Sequence, residues 1–80
     1  MNNMHRERGA AVRRALIAVA RLCVERNCWL PSHNDIGRAL GIDPSRISYH
    51  WGVLEEEGVL ERARFGTRHG PRFRVRRLRP

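Results

Sequence analysis

The stretch PSHNDIGRALGIDPS, near the middle of the chain, contains two helix start signals with a glycine stop signal between them. Pro31 disfavours a helix before it, and Ser32 with Asp35 fits a capping box, so a helix is expected to start after Ser32. Gly41 supplies the left-handed residue that ends such a helix after Leu40. This short capped helix constrains the fold more than any other feature, because the next helix start signal follows its glycine stop signal almost at once along the chain.

The second start signal is Asp43, a good N-cap, followed by Pro44 at the first helical position. Gly58 is expected to end this helix. Its apolar residues recur at helical spacing and predict a buried seam with His50 beside it, formed by Ile47, Trp51 and Leu54. Two short helices joined by a tight glycine turn describe a helix-turn-helix.

A longer helix is predicted to precede this pair, from Arg8 to Arg26. Its apolar residues at helical spacing are Val12, Ala15, Leu16, Val19, Ala20 and Cys23. Ile17 and Val24 widen the apolar face, which fits either a second neighbour in the core or a contact in a homodimer. A short strand at residues 29–30 is possible, and Ile36, Ala39 and Leu40 are expected to face inward from the helix after Ser32.

The residues after Gly58 alternate in the way that strands do. We expect one strand over Val59–Phe65, a turn over Gly66–Gly70, and a return strand over Pro71–Leu78. Phe73 and Val75 fall on one face, and Arg72, Arg74 and Arg76 fall on the other.

The predicted fold class is therefore α+β and mostly α, with three helices and a C-terminal two-stranded β-hairpin. We expect a single domain over residues 1–80, ordered over about 8–78, with mobile ends at 1–7 and 79–80.

The net charge of +8 lies entirely in the last part of the chain. Arginines and acids balance up to Glu61, and eight arginines with no acid follow it. So many like charges require an anionic partner or repel one another. All sixteen Lys or Arg residues are Arg, for which coding bias is the favoured explanation, although Arg also suits bidentate contacts with phosphate or guanine.

Several classes of function are not expected from this sequence. We see no signal peptide or membrane span, and we expect a cytoplasmic protein associated with the nucleoid. The spacing of Cys23 and Cys28 matches no zinc or redox pattern, and no metal, cofactor or small-molecule ligand is evident. No set of residues resembles a catalytic centre, so an enzyme is not expected.

The order of these elements, with the motifs IGRALGI and LEEEGVL, resembles the winged helix-turn-helix DNA-binding domain. LPSHNDIGRALGI is most similar to the second-helix region of the LexA amino-terminal domain, and IGRALGIDPSRISYHWGVLEEEGVL also resembles Lrp and MarR regulators. The resemblance implies binding to double-stranded DNA, with a recognition helix at 44–57 in the major groove. It also implies that an arginine-rich wing at 62–78 lies on the backbone or in the minor groove.

The resemblance also implies which residues touch DNA. Recognition-helix contacts are expected from Ser45, Arg46, Ser48, Tyr49 and Gly52, and backbone contacts from His33, Asn34 and Arg38. Wing contacts are expected from Arg64, Thr67, Arg68, His69, Arg72 and Arg74. The acids Glu55, Glu56 and Glu57 suit a helix whose carboxyl end points away from phosphates, and they also suit pairing with the arginine strand.

The leading hypothesis is a sequence-specific transcriptional regulator that represses by promoter occlusion, and a homodimer on a two-part site is one expected form. One alternative is a replication, recombination or partition accessory protein of a mobile element. Another is a winged helix that binds RNA or a protein. Single-stranded RNA is disfavoured by the expectation that Tyr49 is the one plausible surface aromatic residue.

Overall fold

Three helices are followed by a two-stranded antiparallel hairpin. The computed structural model describes the backbone of residues 3–80 and the side chains of residues 9–80. The elements are α1 (Asn3–Arg26), α2 (His33–Leu40), α3 (Pro44–Glu56), β1 (Leu60–Thr67) and β2 (Gly70–Leu78). This confirms the predicted α+β class, and the layout is compatible with a winged helix. The predicted mobility of both ends stays a prediction, and residues 1–2 lie outside the described residues.

The first helix, α1, begins at Asn3, earlier than the predicted start at Arg8. It ends at Arg26, the next residue Asn27 adopts a left-handed φ of 51°, and the amide of Cys28 donates to the carbonyl of Cys23 at 3.1 Å. This pattern satisfies carbonyls at the end of the helix. Ile17 packs against the core, as one of the two interpretations of its position predicts, whereas Val24 is 50% exposed.

The possible strand at residues 29–30 does not form, but Leu30 still joins the edge of the hairpin. Its amide donates to the carbonyl of Phe73 at 2.8 Å. This single hydrogen bond places the segment before α2 beside β2.

Both predicted helix caps of α2 are confirmed. The Ser32 hydroxyl accepts from the Asp35 amide at 3.1 Å, and Gly41 closes the helix with a φ of 68°.

The inward face of α2 differs from the predicted one. The buried residues are Ile36 and Gly37, while Ala39 and Leu40 are exposed, so the prediction for those two is wrong. The reason is that the Gly37 side of α2 lies against the turn. A Cβ added to Gly37 would lie 2.5 Å from the Ile42 carbonyl oxygen, so only glycine permits this approach.

The third helix, α3, starts as predicted, with the Asp43 carboxylate accepting from the Ser45 amide at 2.8 Å. Pro44 occupies the first helical position, and Gly58 follows the end of the helix. The predicted seam is confirmed. Its buried residues are Ile47, His50, Trp51 and Leu54.

The hairpin is longer and tighter than predicted, with Thr67 opposite Gly70 and only Arg68 and His69 between them. Ala63 pairs with Arg74 and Phe65 pairs with Arg72, so these four residues share one face of the sheet. The register shifts by one residue at Arg76, which forms a bulge.

The core lies between the helices and the other face of the hairpin, where Phe73 and Val75 pack against it. Its buried apolar residues are Val12, Leu16, Ala20, Cys23, Leu30, Ile36, Ile47, Trp51, Leu54 and Leu60. Within the part of the chain that the structure describes, no helix is both long and apolar enough to cross a membrane.

Candidate nucleic-acid interface

The face of α3 opposite the buried seam is composed of small and polar residues. Ser45, Tyr49 and Gly52 follow one another along the helix at helical spacing, and Tyr49 is 65% exposed. A Cβ added to Gly52 would meet no atom within 4 Å, so the surface there is open. This face can approach a large, flat partner without any rearrangement of the core.

Ser45 has a second role at the start of α3. Its hydroxyl donates to the Asp43 carboxylate at 2.6 Å. The hydrogen bonds from the Ser45 side chain and amide hold the pKa of Asp43 below its usual range, with Arg46 adding to the effect. The Ser45 hydroxyl proton is therefore already used, and its oxygen remains available mainly as an acceptor.

Arg46 and Ser48 flank this row on opposite sides. Arg46 is exposed and makes no ion pair with any side chain in residues 9–80, and it lies on the side of His50. Ser48 lies on the side of the hairpin. Within residues 9–80, the exposed guanidinium of Arg46 therefore has no acidic partner.

A groove of about 570 Å³ separates the outer side of α3 from the start of α2 and from β2. It brings together several predicted contact residues from three elements. These are His33 and Asn34 of α2, Ser45 and Ser48 of α3, and Arg72 of β2. The groove combines these polar side chains and the cation Arg72 with the carboxylate of Asp35 and with apolar residues, among them Pro31 and Phe73.

Arg62 forms the floor between α3 and the hairpin, a role that the sequence did not predict. Its guanidinium donates to Glu55 Oε1 from Nη2 at 2.7 Å and from Nε at 3.1 Å. It also lies 5.5 Å from the ring centre of Trp51 and 5.2 Å from that of Phe73. Glu55 therefore pairs with the arginine strand, one of the two interpretations of the acidic cluster. The three consecutive acids were the available signal, but they did not identify Arg62 as the partner.

Arg62 also affects His33, which lines the groove. Arg62 Nη1 lies 3.4 Å from His33 Nε2. Partial burial lowers the pKa of His33, and the Arg62 charge lowers it further. His33 is therefore neutral near pH 7, with Nε2 placed to accept from Arg62.

The hairpin tip presents exposed basic side chains. Arg64, Arg68 and His69 are exposed, and neither arginine has an acidic partner within the described residues. The Thr67 hydroxyl accepts from the His69 amide at 3.2 Å and donates to the Gly70 carbonyl. Thr67 thus holds the tip in shape, while the two arginines remain free to contact a partner.

Two predicted contact residues, Arg38 and Arg74, lie outside the groove, the outer row of α3 and the hairpin tip. Arg38 is exposed and its Nη2 lies 4.0 Å from Asp35 Oδ1. Arg74 lies on the outer face of the hairpin, where its guanidinium is 4.3 Å from the ring centre of Trp29 and donates to Asn27.

The expectation that Tyr49 is the one surface aromatic residue is wrong, because Phe65 is 46% exposed. Phe65 lies on the outer face near the tip, beyond the reach of the helices that cover the other face.

In residues 9–80, no three His, Cys, Asp or Glu side chains lie close enough to hold a metal ion. Burial raises the pKa of the Cys23 thiol to about 11, and the neighbouring Cys28 contributes to this rise. Cys23 is therefore protonated at neutral pH, the less nucleophilic form of a thiol. Comparison with protein-family models, with curated proteins and with solved structures finds no match to this chain.

Proposed function

We propose that this chain is a winged helix-turn-helix protein that binds a specific sequence of double-stranded DNA and regulates transcription. The observation that carries the proposal is the exposed row Ser45–Tyr49–Gly52 beside a groove that ends at the arginine-rich hairpin. A polar helix face and a cationic ribbon on one side of a small molecule fit a duplex, whose major groove admits a helix.

In the proposed complex, the amino-terminal half of α3 enters the major groove. Arg46 reads guanine, because its exposed guanidinium matches the O6 and N7 acceptors of that base. Tyr49 packs on a thymine methyl or reaches a phosphate, and Gly52 permits close approach of the backbone. Glu56 and Glu57 are exposed at the other end of the helix, where they keep the carboxyl end away from phosphates.

The groove and the hairpin supply the contacts that do not depend on sequence. A phosphate between α2 and β2 would meet Asn34, Ser48 and Arg72, which line the groove. Arg64 and Arg68 at the hairpin tip would follow the backbone or enter a narrow minor groove. Arg38 adds a further backbone contact.

The proposed regulation is repression by occupancy of a promoter. One module of this size buries limited surface on DNA, so we propose that two copies bind a two-part site. Val24 of α1, which is 50% exposed, is a candidate for the contact between copies.

Selection of bound duplexes from a random pool tests the proposal. We expect recovery of a short motif, and equal retention of all sequences would reject a sequence-specific regulator. Arg46→Ala should reduce the preference at one base position by about 1–3 kcal/mol. Arg21→Ala is the matched control, since it removes the same charge from an exposed position on α1. The control should leave the base preference intact.

A further inference from the structure

The hairpin has a second, outer face, from which the proposed duplex complex uses Arg72 and no other residue. It consists of Ala63, Phe65, Arg72 and Arg74 from the two strands, with Trp29 beside them, and we call it the outer hairpin face. Arg72 alone reaches both this face and the groove beside α3. Duplex binding therefore does not account for the composition of the outer hairpin face.

Two aromatic rings are held in place on the outer hairpin face. Trp29 and Phe65 meet edge to face, with ring centres 5.6 Å apart and an interplanar angle of 66°. Arg74 covers Trp29 at 4.3 Å and is itself anchored by the Asn27 side chain at 2.9 Å and the Asn27 carbonyl at 3.2 Å. These contacts position Trp29 and leave the Phe65 ring as the open apolar surface, 46% exposed.

The cations around this ring are not neutralised by nearby acids. In the part of the chain that the structure describes, the strands contain one acid, Glu61, and its partner is Arg76 at the base of the hairpin, 3.5 Å away. Arg72 lies directly across from Phe65 in the strand register. The outer hairpin face thus combines an exposed flat ring with free positive charge.

We infer that the outer hairpin face binds single-stranded nucleic acid, with an unpaired base stacked on Phe65 and its phosphate held by Arg72. Proteins that bind single strands combine these two elements, an aromatic platform and a cationic path for the backbone. A duplex cannot supply the base, since its bases are stacked on one another. A second copy of this chain is a poorer occupant, because it would place two arginine rows against each other.

This inference goes beyond the proposed function and does not depend on it. Duplex binding uses α3 and the groove, whereas single-strand binding uses Phe65 on the other face of the sheet. Arg72 is the one residue that both complexes would use, whereas Tyr49 and Phe65 each belong to one of them. Each activity can therefore fail while the other persists.

The test measures the affinity of the full chain for a labelled oligothymidylate, an oligouridylate and a selected duplex by fluorescence anisotropy. Phe65→Ala should weaken single-strand binding by about 5- to 100-fold, the range expected for one lost stacking contact. Duplex affinity should not change. Tyr49→Ala should show the opposite pattern, with weaker duplex binding and unchanged single-strand binding.

Two further variants separate stacking from a loss of folding. Phe65→Tyr keeps the ring and should keep single-strand affinity, whereas Phe65→Leu keeps apolar volume without a ring and should lose it. Tryptophan fluorescence gives a second readout, because Trp51 is 1% exposed and an oligonucleotide can therefore perturb only Trp29 directly.

Equal single-strand affinity in the wild type, Phe65→Ala and Phe65→Leu would overturn the inference, as would no binding of either oligonucleotide by the wild type. Retained duplex binding in that case would leave the proposed function standing. A Phe65→Ala variant that changed only self-association would assign the face to a second copy instead. Binding of one oligonucleotide and not the other would support the inference.

Discussion

His50 is a buried histidine whose environment favours the neutral ring. Burial lowers the pKa of His50, and the charges of Arg13 and then Arg46 lower it further. Arg13 Nη1 lies 3.4 Å from His50 Nδ1, a contact that requires this nitrogen to be unprotonated. The folded state therefore resists protonation of His50 more than the unfolded state does.

The first prediction is a loss of stability in mild acid. Because the pKa of His50 is lower in the folded state than in the unfolded state, its contribution is complete above about pH 6.5 and declines as the pH falls below that value. His33 acts in the same direction. Urea unfolding across this range should show the decline, and His50→Gln should flatten it. An unchanged pH dependence in that variant would show that other groups are responsible.

Gly37 and Gly52 support a second prediction, because both are helical glycines but their surroundings differ. Gly37→Ala places a Cβ 2.5 Å from the Ile42 carbonyl oxygen and should cost about 1–3 kcal/mol of unfolding free energy. Gly52→Ala meets no atom and should gain about 0.5–1 kcal/mol from helix propensity. It should nevertheless weaken duplex binding, since the methyl group stands on the proposed contact face. Denaturant titrations and duplex affinities check both variants.

The sequence could predict the role of a residue when its partner lies nearby along the chain, and it could not when the partner is distant in sequence. Ser32, Gly41 and Asp43 were assigned correctly because their partners lie within a few residues along the chain. Arg62 was missed because its role depends on Trp51 and Phe73, which meet it only when the hairpin packs on α3.

At the scale of elements, the type and order of each helix and strand followed from local signals, but the covered face of α2 did not. Periodicity identified Ile36 and Leu40 as apolar residues on adjacent turns. It could not show that the turn after α2 brings the backbone against Gly37 and leaves Leu40 39% exposed. The strands likewise ran closer to the tip than the glycines indicated, because pairing continues through Gly66 to Thr67.

The Arg62–Glu55 pair joins β1 to α3, which gives a third prediction. The two side chains are 15% and 32% exposed, so Arg62→Ala leaves a partly buried carboxylate and should cost about 2–4 kcal/mol of unfolding free energy. Arg76→Ala breaks the exposed pair with Glu61, where the side chains are 69% and 47% exposed, and should cost less than about 1 kcal/mol. Equal losses in urea unfolding would contradict the assigned role of Arg62.

At the scale of the whole molecule, the excess positive charge of the sequence lies on the surface of the hairpin. The arginines after Glu61 lie along the hairpin, and only Arg62 and Arg76 pair with acids among the described residues. Net charge predicted an anionic partner, but it could not show how the cations divide between the tip, the groove and the outer hairpin face. That division depends on strand register, which places Arg72 and Arg74 on the face of Phe65.

The fourth prediction concerns the salt dependence of duplex binding. If the protein neutralises about five phosphates, log affinity should fall with log salt concentration at a slope of about −4.5. Arg68→Ala removes one exposed cation from the tip and should make this slope shallower by about 0.9, weakening all duplex sequences alike. Arg46→Ala should instead weaken the preferred sequence most, because a base contact carries sequence information and a phosphate contact does not. A sequence-selective loss on replacing Arg68 would place the hairpin tip on base edges, and the division of roles between α3 and the hairpin would then be wrong.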